Sequence, residues 1–143
     1  MKKQTDTTYI QQRLSNDCGI AALAMLYDIP YSAASKLVRN AETGVFDGTT
    51  IDHARAVGLA MADPCRVWYC TPDNRAIVTE KLVGRQAILV VPAKDFKVSG
   101  DWHALYWTGK HVLDPSPHNK YGRKGAKALK TFIEAWVLES DND

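Results

Sequence analysis

A long apolar segment near the N-terminus limits the possible folds of this chain more than any other feature. It starts beside Cys18, repeats at helical spacing as far as Tyr27, and is stopped by Pro30. Its apolar residues occupy all sides of the predicted helix and are Ile20, Ala21, Ala22, Leu23, Ala24, Met25 and Tyr27. Because a helix that is apolar all round is buried rather than solvated, we expect a largely buried helix whose first turn begins at or beside Cys18.

The length and composition are those of one globular domain. The chain has 143 residues, of which 45% are hydrophobic and 24% charged, so we expect a single domain over residues 1–143 with its own core. The formal net charge of +2 neither indicates nor excludes a nucleic acid or an acidic substrate. No stretch approaches the roughly 18 apolar residues of a membrane helix, and the first residues do not read as a signal peptide. We therefore expect a cytoplasmic protein with no membrane partner.

The cysteine count argues against a disulfide framework. Three cysteines are present, an odd number without a secretory context, and a reducing compartment leaves a thiol free to act as a nucleophile. Cys65 and Cys70 have no histidine or second cysteine pair at the spacing of zinc ligands. We predict neither a metal site nor another cofactor.

The rest of the chain alternates between helical and strand patterns. Ser32 is expected to cap a second helix that runs through Val38. Thr49 or Thr50 is expected to cap a third, which ends at Gly58. Further along we predict a strand, a helix, a buried strand and a loop, over residues 66–70, 73–83, 86–91 and 116–127. A closing helix is predicted from the apolar residues Leu129, Phe132, Ile133, Trp136 and Val137. Such a mixture is typical of an α+β fold.

Two β-rich runs, residues 102–108 and 111–115, are separated by Gly109-Lys110 and predict a hairpin. Glycine at the first position of a two-residue loop is what a type II′ turn requires. The loop length matters because it sets the strand register, and a loop one residue longer would turn every side chain of one strand to the other face.

Cys18 is the candidate nucleophile. Cysteine attacks as a thiolate, and the unpaired amides and dipole of a helix N-terminus favour that negative charge. Asn16 and Asp17 precede it as turn or cap residues, and Gly19 leaves space for a substrate backbone. By itself a cysteine at a helix start is as readily explained by burial in the core.

The base must be a histidine, and the chain has four. His53 lies on the predicted third helix, where a polar surface position is the simplest interpretation, and His118 lies in the predicted loop, where we expect it to be solvated. The choice falls between His103 and His111, which lie on opposite strands of the hairpin. Neutral imidazole near physiological pH is the usual base for a thiol.

Strand parity separates these two histidines. With a two-residue loop, Leu105 lies opposite Asp114, and His103, two residues away, shares that face of the sheet. Diagonal neighbours of this kind lie about 7–8 Å apart at the backbone, so the carboxylate can reach the imidazole and set its tautomer. His111 points to the other face. The sequence therefore predicts His103 as the base and Asp114 as its orienting acid, although Asp-Pro also marks ordinary strand ends.

Gln12, six residues before Cys18, is a candidate oxyanion donor. A side-chain amide and the Cys18 backbone amide together would stabilise the oxyanion formed beside the nucleophile. A plain surface glutamine is the alternative interpretation.

In these residues the chain resembles the bacteriocin-processing (double-glycine leader) peptidases and their stand-alone relatives, a branch of the papain-like cysteine peptidases. The match consists of Gln12, then Asp17-Cys18-Gly19 before the Ala- and Leu-rich helix. It continues with a histidine that begins one strand and an Asp-Pro on the next, at His103 and Asp114. The likeness spans about residues 9–137. It implies the papain-like fold, with a helix bearing the nucleophile packed on an antiparallel sheet, and the same four catalytic positions.

We therefore predict a cysteine peptidase or hydrolase that cleaves a peptide or isopeptide bond through a thioester. The expected partner is a peptide or protein substrate, not a nucleic acid, and the basic stretch 120–130 is interpreted as a solvated loop. The processing peptidases proper are fused to a transporter, and this chain has no membrane segment or nucleotide-binding motif, so we do not expect leader cleavage during export. Acyl transfer or deamidation by the same groups, or a silent binding protein of this fold, are the alternatives.

Overall fold

A computed structural model describes residues 9–13, 17–42, 48–49, 51–96, 98, 100–116 and 125–141. Within these ranges the helices are α1 (Cys18–Tyr27), α2 (Tyr31–Ala41), α3 (Ile51–Ala60), α4 (Arg75–Leu82) and α5 (Gly125–Thr131). The strands are β1 (Cys65–Tyr69), β2 (Ala87–Pro92), β3 (Trp102–Trp107), β4 (Val112–Leu113) and β5 (Glu134–Leu138). Helices and one antiparallel sheet share the chain, which confirms the α+β class.

The sheet has the strand order β1-β5-β2-β3-β4, and every neighbouring pair is antiparallel. Its two faces are covered by different helices. Side chains such as Ala104 and Tyr106 pack in a core cluster with α1, α2 and α3. Their neighbours Leu105 and Trp107 pack in a second cluster with α4 and α5. A sheet with helices on both faces needs side chains that are apolar on both sides, and this is why its strands show little alternation.

Helix α1 is the buried helix that the sequence predicts. It runs from Cys18 to Tyr27, and its residues from Ile20 onwards are at most 9% exposed. It contacts both α2 and β3. Its C-terminus is closed by Asp28, which adopts the left-handed conformation and donates its backbone N–H to carbonyls of the last turn.

The C-terminal segment differs most from the sequence-based expectation. The predicted closing helix is wrong beyond Thr131, because Trp136 and Val137 belong to β5, which inserts between β1 and β2. All four residues 135–138 are buried. A short apolar run that is buried on both faces has the same pattern as a buried helix turn, and the pairing that makes it a strand comes from residues far away in the chain.

The predicted bounds of α2 and α3 are also corrected. Ser32 does not cap α2, which begins one residue earlier after an extended Pro30. Helix α3 continues through Gly58 to Ala60. Gly58 does not end the helix, and its role is close packing, since a Cβ there would lie 2.7 Å from the Cα of Pro64.

The remaining elements lie close to their predicted places. The strands and helix expected at residues 66–70, 73–83 and 86–91 appear as β1, α4 and β2 with ends shifted by one or two residues. Strand β4 is shorter than expected. Of the predicted solvated loop at 116–127, residues 117–124 lie outside the described residues, and residues 125–127 are helical in α5. Among the helices described, none combines the length and the apolar character needed to cross a membrane.

Candidate active site

The hairpin brings His103 and Asp114 into contact. Nε2 of His103 lies 2.6 Å from Oδ1 of Asp114, and the two side chains are 2% and 3% exposed. The contact follows from the two-residue loop, in which Thr108 N–H donates to the His111 carbonyl at 2.8 Å. Gly109 in that loop has a φ of 102°, which favours glycine. His111 is exposed, as the strand parity predicts.

Two groups contact the Asp114 carboxylate at the same oxygen, Oδ1. Its Oδ1 also accepts the backbone N–H of Ser116 at 2.8 Å. The ring of Phe96, which is fully buried, lies 6.1 Å from the His103 ring centroid and restricts its rotation. A buried carboxylate is costly unless it is paired. The imidazole and the Ser116 amide supply that pairing, and the imidazole is thereby held in one orientation.

Cys18 completes a three-membered chain of contacts. It is the first residue of α1 and a partly exposed free thiol. The Cys18 thiol lies close enough to the imidazole to raise the pKa of His103, and the Nε2 atom of the same ring contacts Asp114.

A backbone amide also faces the sulfur. Ala104 N–H donates to Sγ of Cys18 at 3.4 Å. Continuing the β3–β4 register would pair Ala104 with Pro115, but the Pro115 carbonyl accepts the backbone N–H of Gln12 at 3.0 Å instead. The ladder of hydrogen bonds is interrupted at this pair. The Ala104 N–H donates to Cys18, and the Pro115 carbonyl accepts from Gln12. Both residues consequently lie at the same break in the sheet edge.

The imidazole is basic in this environment. Burial by itself lowers the pKa of His103, but the hydrogen bonds with Asp114 and Cys18, together with the charges of these two groups, outweigh it and raise the pKa to about 9. A proton on His103 is thus stabilised between the carboxylate and the sulfur. This arrangement places a basic imidazole beside a thiol, which is what nucleophilic catalysis by cysteine requires.

The segment that carries Gln12 is held against the end of β4. Besides the bond from Gln12 to Pro115, the Tyr9 hydroxyl donates to the backbone carbonyl of Asp114 at 2.7 Å. Gln12 is partly buried. The structure therefore brings all four predicted residues to one region, while the role of Gln12 as an oxyanion donor stays a prediction.

Asp17 is a site residue that sequence reasoning missed. It occupies the N-cap position of α1 but makes no side-chain cap bond. Its Oδ2 instead accepts the Arg13 backbone N–H at 3.0 Å and a short hydrogen bond from the Tyr31 hydroxyl. Asn16, the other predicted cap residue, lies outside the described residues. An aspartate before a helix is the ordinary sign of a cap, so the sequence held no signal for this arrangement.

The space above Gly19 is not open to a substrate, and that expectation is wrong. A Cβ added at Gly19 would lie 2.3 Å from Cβ of Thr49. The glycine is needed because the Thr49 side chain packs directly on the first turn of α1. A substrate must reach Cys18 from another direction.

The other predicted candidates lie elsewhere. His53 is not on a solvated face: it is 6% exposed, and its Nε2 lies 2.9 Å from Oε2 of Glu42. His118 falls outside the described residues. Cys65 and Cys70 are buried free thiols. Among the side chains that the structure describes, no group of three or more could hold a metal ion.

The site thus consists of a thiol at a helix start, an imidazole between that thiol and a buried carboxylate, and a glutamine held at the same sheet edge. These residues come from four separate parts of the chain, and the interrupted β3–β4 ladder is where they meet. Comparisons of the chain with protein-family models, with curated proteins and with solved structures each found no match.

Proposed function

We propose that this protein is a papain-like cysteine hydrolase that cleaves a peptide or isopeptide bond through a thioester intermediate. The observation that supports this most directly is the His103 imidazole, which contacts the buried Asp114 carboxylate and whose pKa is raised by the adjacent Cys18 thiol as well as by Asp114. A nucleophile, a base and an orienting acid in this sequence of contacts are the elements of a catalytic triad.

The architecture around the triad supports the papain-like assignment. The nucleophile begins a central helix that packs on an antiparallel sheet, the base lies on β3, and the acid directly follows the adjoining strand β4. This is the arrangement that the resemblance of the sequence implies. The fold alone would not support an activity, so the contacts of the side chains carry the proposal.

In the acylation step the Cys18 thiolate attacks the scissile carbonyl carbon, and a C–S bond forms. The carbonyl oxygen becomes an oxyanion, which the Gln12 side-chain amide and the Cys18 backbone N–H stabilise. His103 then gives its proton to the leaving amine as the C–N bond breaks. Asp114 keeps the ring oriented throughout and stabilises its positive charge.

In the second step a water molecule attacks the thioester. His103, now neutral, accepts a proton from the water, and the C–S bond breaks to release the carboxylic acid product. The proton taken from the water stays on His103 beside the released Cys18 thiolate, which restores the starting state. The oxyanion donors act in both steps, because each passes through a tetrahedral intermediate.

The first experiment asks whether the site is reactive. Purified protein is treated with iodoacetamide at pH 6.5, and the modified cysteine is identified by mass spectrometry in the wild type, Cys18→Ala and Cys65→Ala. We expect labelling of Cys18 that is lost in Cys18→Ala and kept in Cys65→Ala. An unreactive Cys18 in folded protein would contradict the proposal and favour a silent binding protein.

The second experiment identifies the reaction. A proteome-derived peptide library is incubated with the wild type or with Cys18→Ala, and products that depend on Cys18 are analysed by mass. New peptide termini support hydrolysis. Exchange of a side-chain amide for an acid would show deamidation instead, and addition of an amine would show acyl transfer, both of which use the same acyl-enzyme.

A further inference from the structure

We propose that Asp17 and Tyr31 are positioning residues for the oxyanion donor, the side-chain amide of Gln12. The Tyr31 hydroxyl holds the Asp17 carboxylate, which fixes the Arg13 backbone and thereby the position of the neighbouring Gln12. This inference rests on the proposed function. It assigns a purpose to a buried acid that stands beside the nucleophile and takes no part in the triad.

The burial of Asp17 is the first observation. Its relative exposure is 0%, and such a carboxylate is costly unless donors compensate it. The Arg13 backbone N–H and the hydroxyl of Tyr31, the first residue of α2, donate to this carboxylate. Neither donor belongs to α1, the helix that Asp17 precedes. The Asp17 side chain therefore does not cap α1. Its carboxylate connects the start of α1 to the segment that contains Arg13 and to the first residue of α2.

The position of Gln12 between two anchors is the second observation. On one side its own N–H donates to the Pro115 carbonyl at 3.0 Å, and on the other side the next amide, of Arg13, donates to Asp17. Two consecutive backbone amides are fixed in this way, one to Pro115, which follows the acid, and one to the residue before the nucleophile. An oxyanion donor must be preorganised in just this manner to stabilise a transition state.

Tyr31 is suited to hold the carboxylate. Burial, its hydrogen bond with Asp17 and the charge of Asp17 raise the pKa of Tyr31 to about 12, so the phenol remains a donor over the working pH range. The Arg13 guanidinium lies over the Tyr31 ring, 4.2 Å from its centroid. Tyr31 therefore contacts the Arg13 side chain and also donates to Asp17, which accepts the Arg13 backbone N–H.

Two reactions of the same thiol distinguish positioning from activation. In the first, p-nitrophenyl acetate acylates Cys18: the C–S bond forms, the C–O bond breaks, and p-nitrophenolate leaves after a tetrahedral oxyanion. In the second, iodoacetamide alkylates Cys18 by displacement of iodide, without an oxyanion. A residue that acts through the oxyanion donor affects the first rate only.

Both rates are measured for the wild type, Tyr31→Phe, Gln12→Ala and the double variant. We expect Tyr31→Phe to slow acylation by about 10- to 100-fold and Gln12→Ala by about 10²–10³-fold, with alkylation unchanged in both. In the Gln12→Ala background Tyr31→Phe should have no further effect, because the donor that it positions is gone. Tyr27→Phe is the matched control, since that hydroxyl is also bonded but at the other end of α1.

Asp17→Asn is the second variant, and it tests the inference even if Tyr31→Phe does not fold. The asparagine oxygen accepts the same two bonds, so acylation should stay close to that of the wild type. Equal losses of acylation and alkylation, an additive double variant, a similar effect of Tyr27→Phe, or loss of acylation in Asp17→Asn would each overturn the inference. If the wild type itself shows no alkylation of Cys18, the proposed function fails and not the positioning role alone.

Discussion

Helix α1 has a cysteine, a tyrosine and an aspartate near each of its ends, but the two thiols have different neighbours. At the N-terminus the sulfur of Cys18 faces the His103 imidazole and a backbone amide. At the C-terminus the sulfur of Cys65 lies 3.2 Å from the Tyr27 hydroxyl, which also donates to the Asp63 carbonyl at 2.7 Å.

These different neighbours give the two thiols different chemical environments. Burial, helped by the charge of Asp63, raises the pKa of Cys65 to about 11, although the hydrogen bond with Tyr27 lowers it. Cys18 instead has the basic His103 imidazole and the Ala104 backbone amide beside its sulfur. The comparison shows that two cysteines near the ends of one helix can differ in the polar groups that face the sulfur, and these groups determine how reactive a thiol is.

Two histidines give the same lesson. His53 and His103 are both buried beside a carboxylate, at 2.9 and 2.6 Å. The His103 ring is in addition bonded to a thiol. A buried histidine–carboxylate pair is therefore a structural element that becomes a candidate site when a thiol lies beside the imidazole.

The largest expected effect is the difference between the two thiols. At pH 7 a thiol with a pKa of about 11 is ionised to only about 10⁻⁴, so Cys65 should be inert. Cys18→Ala should abolish both alkylation and hydrolysis, whereas Cys65→Ala should keep both. Peptide mapping after iodoacetamide treatment measures this, and faster labelling of Cys65 or Cys70 would reverse the comparison.

Asp114→Asn should have the next largest effect. The amide cannot stabilise a protonated His103 and favours the wrong tautomer, so turnover should fall by up to about 10⁴-fold with the fold intact. His111→Ala is the control and should cost little, because that side chain is exposed. An inactive His111→Ala beside an active His103→Ala would contradict the assignment.

The pH dependence of the unfolding free energy tests the environment of His103. Since the pKa of His103 is raised from 6.5 to about 9, its protonated form stabilises the folded state fully below pH 6.5, and this contribution is lost as the pH rises through 9. The loss should amount to about 3 kcal/mol of unfolding free energy. NMR titration of the imidazole C–H signals and urea unfolding at several pH values measure both effects. A midpoint near 6.5 would contradict the basic environment, and Asp114→Asn should lower the midpoint.

The smallest expected effect concerns the C-terminal end of α1. Gly58→Ala places a Cβ 2.7 Å from both the Pro64 Cα and the Tyr27 hydroxyl, and overpacking of this kind costs about 1–3 kcal/mol. We expect a lower urea midpoint with an unchanged rate of Cys18 alkylation in folded protein. A slower alkylation would mean that the two ends of the helix are coupled.

Much of the site was predictable because its geometry depends on short spacings. A two-residue loop determines which side chains of its hairpin share a face, so the pairing of His103 with Asp114 followed from counting. The helical spacing after Cys18 likewise predicted a buried helix that starts at the nucleophile. The place of Asp17 was not predictable, because its two partners belong to other segments and an Asx cap was the nearer alternative.

By itself the sequence determined the central helix, the hairpin register and the identity of the chemical groups, since each depends on residues close together in the chain. The tertiary structure alone decided that β5 inserts between β1 and β2, that Thr49 fills the space above Gly19, and that Gln12 and Cys18 share the interrupted β3–β4 ladder. These features arise from pairing and packing between distant segments. Local patterns cannot specify them, because the same apolar run or the same aspartate is compatible with several partners until the whole core is assembled.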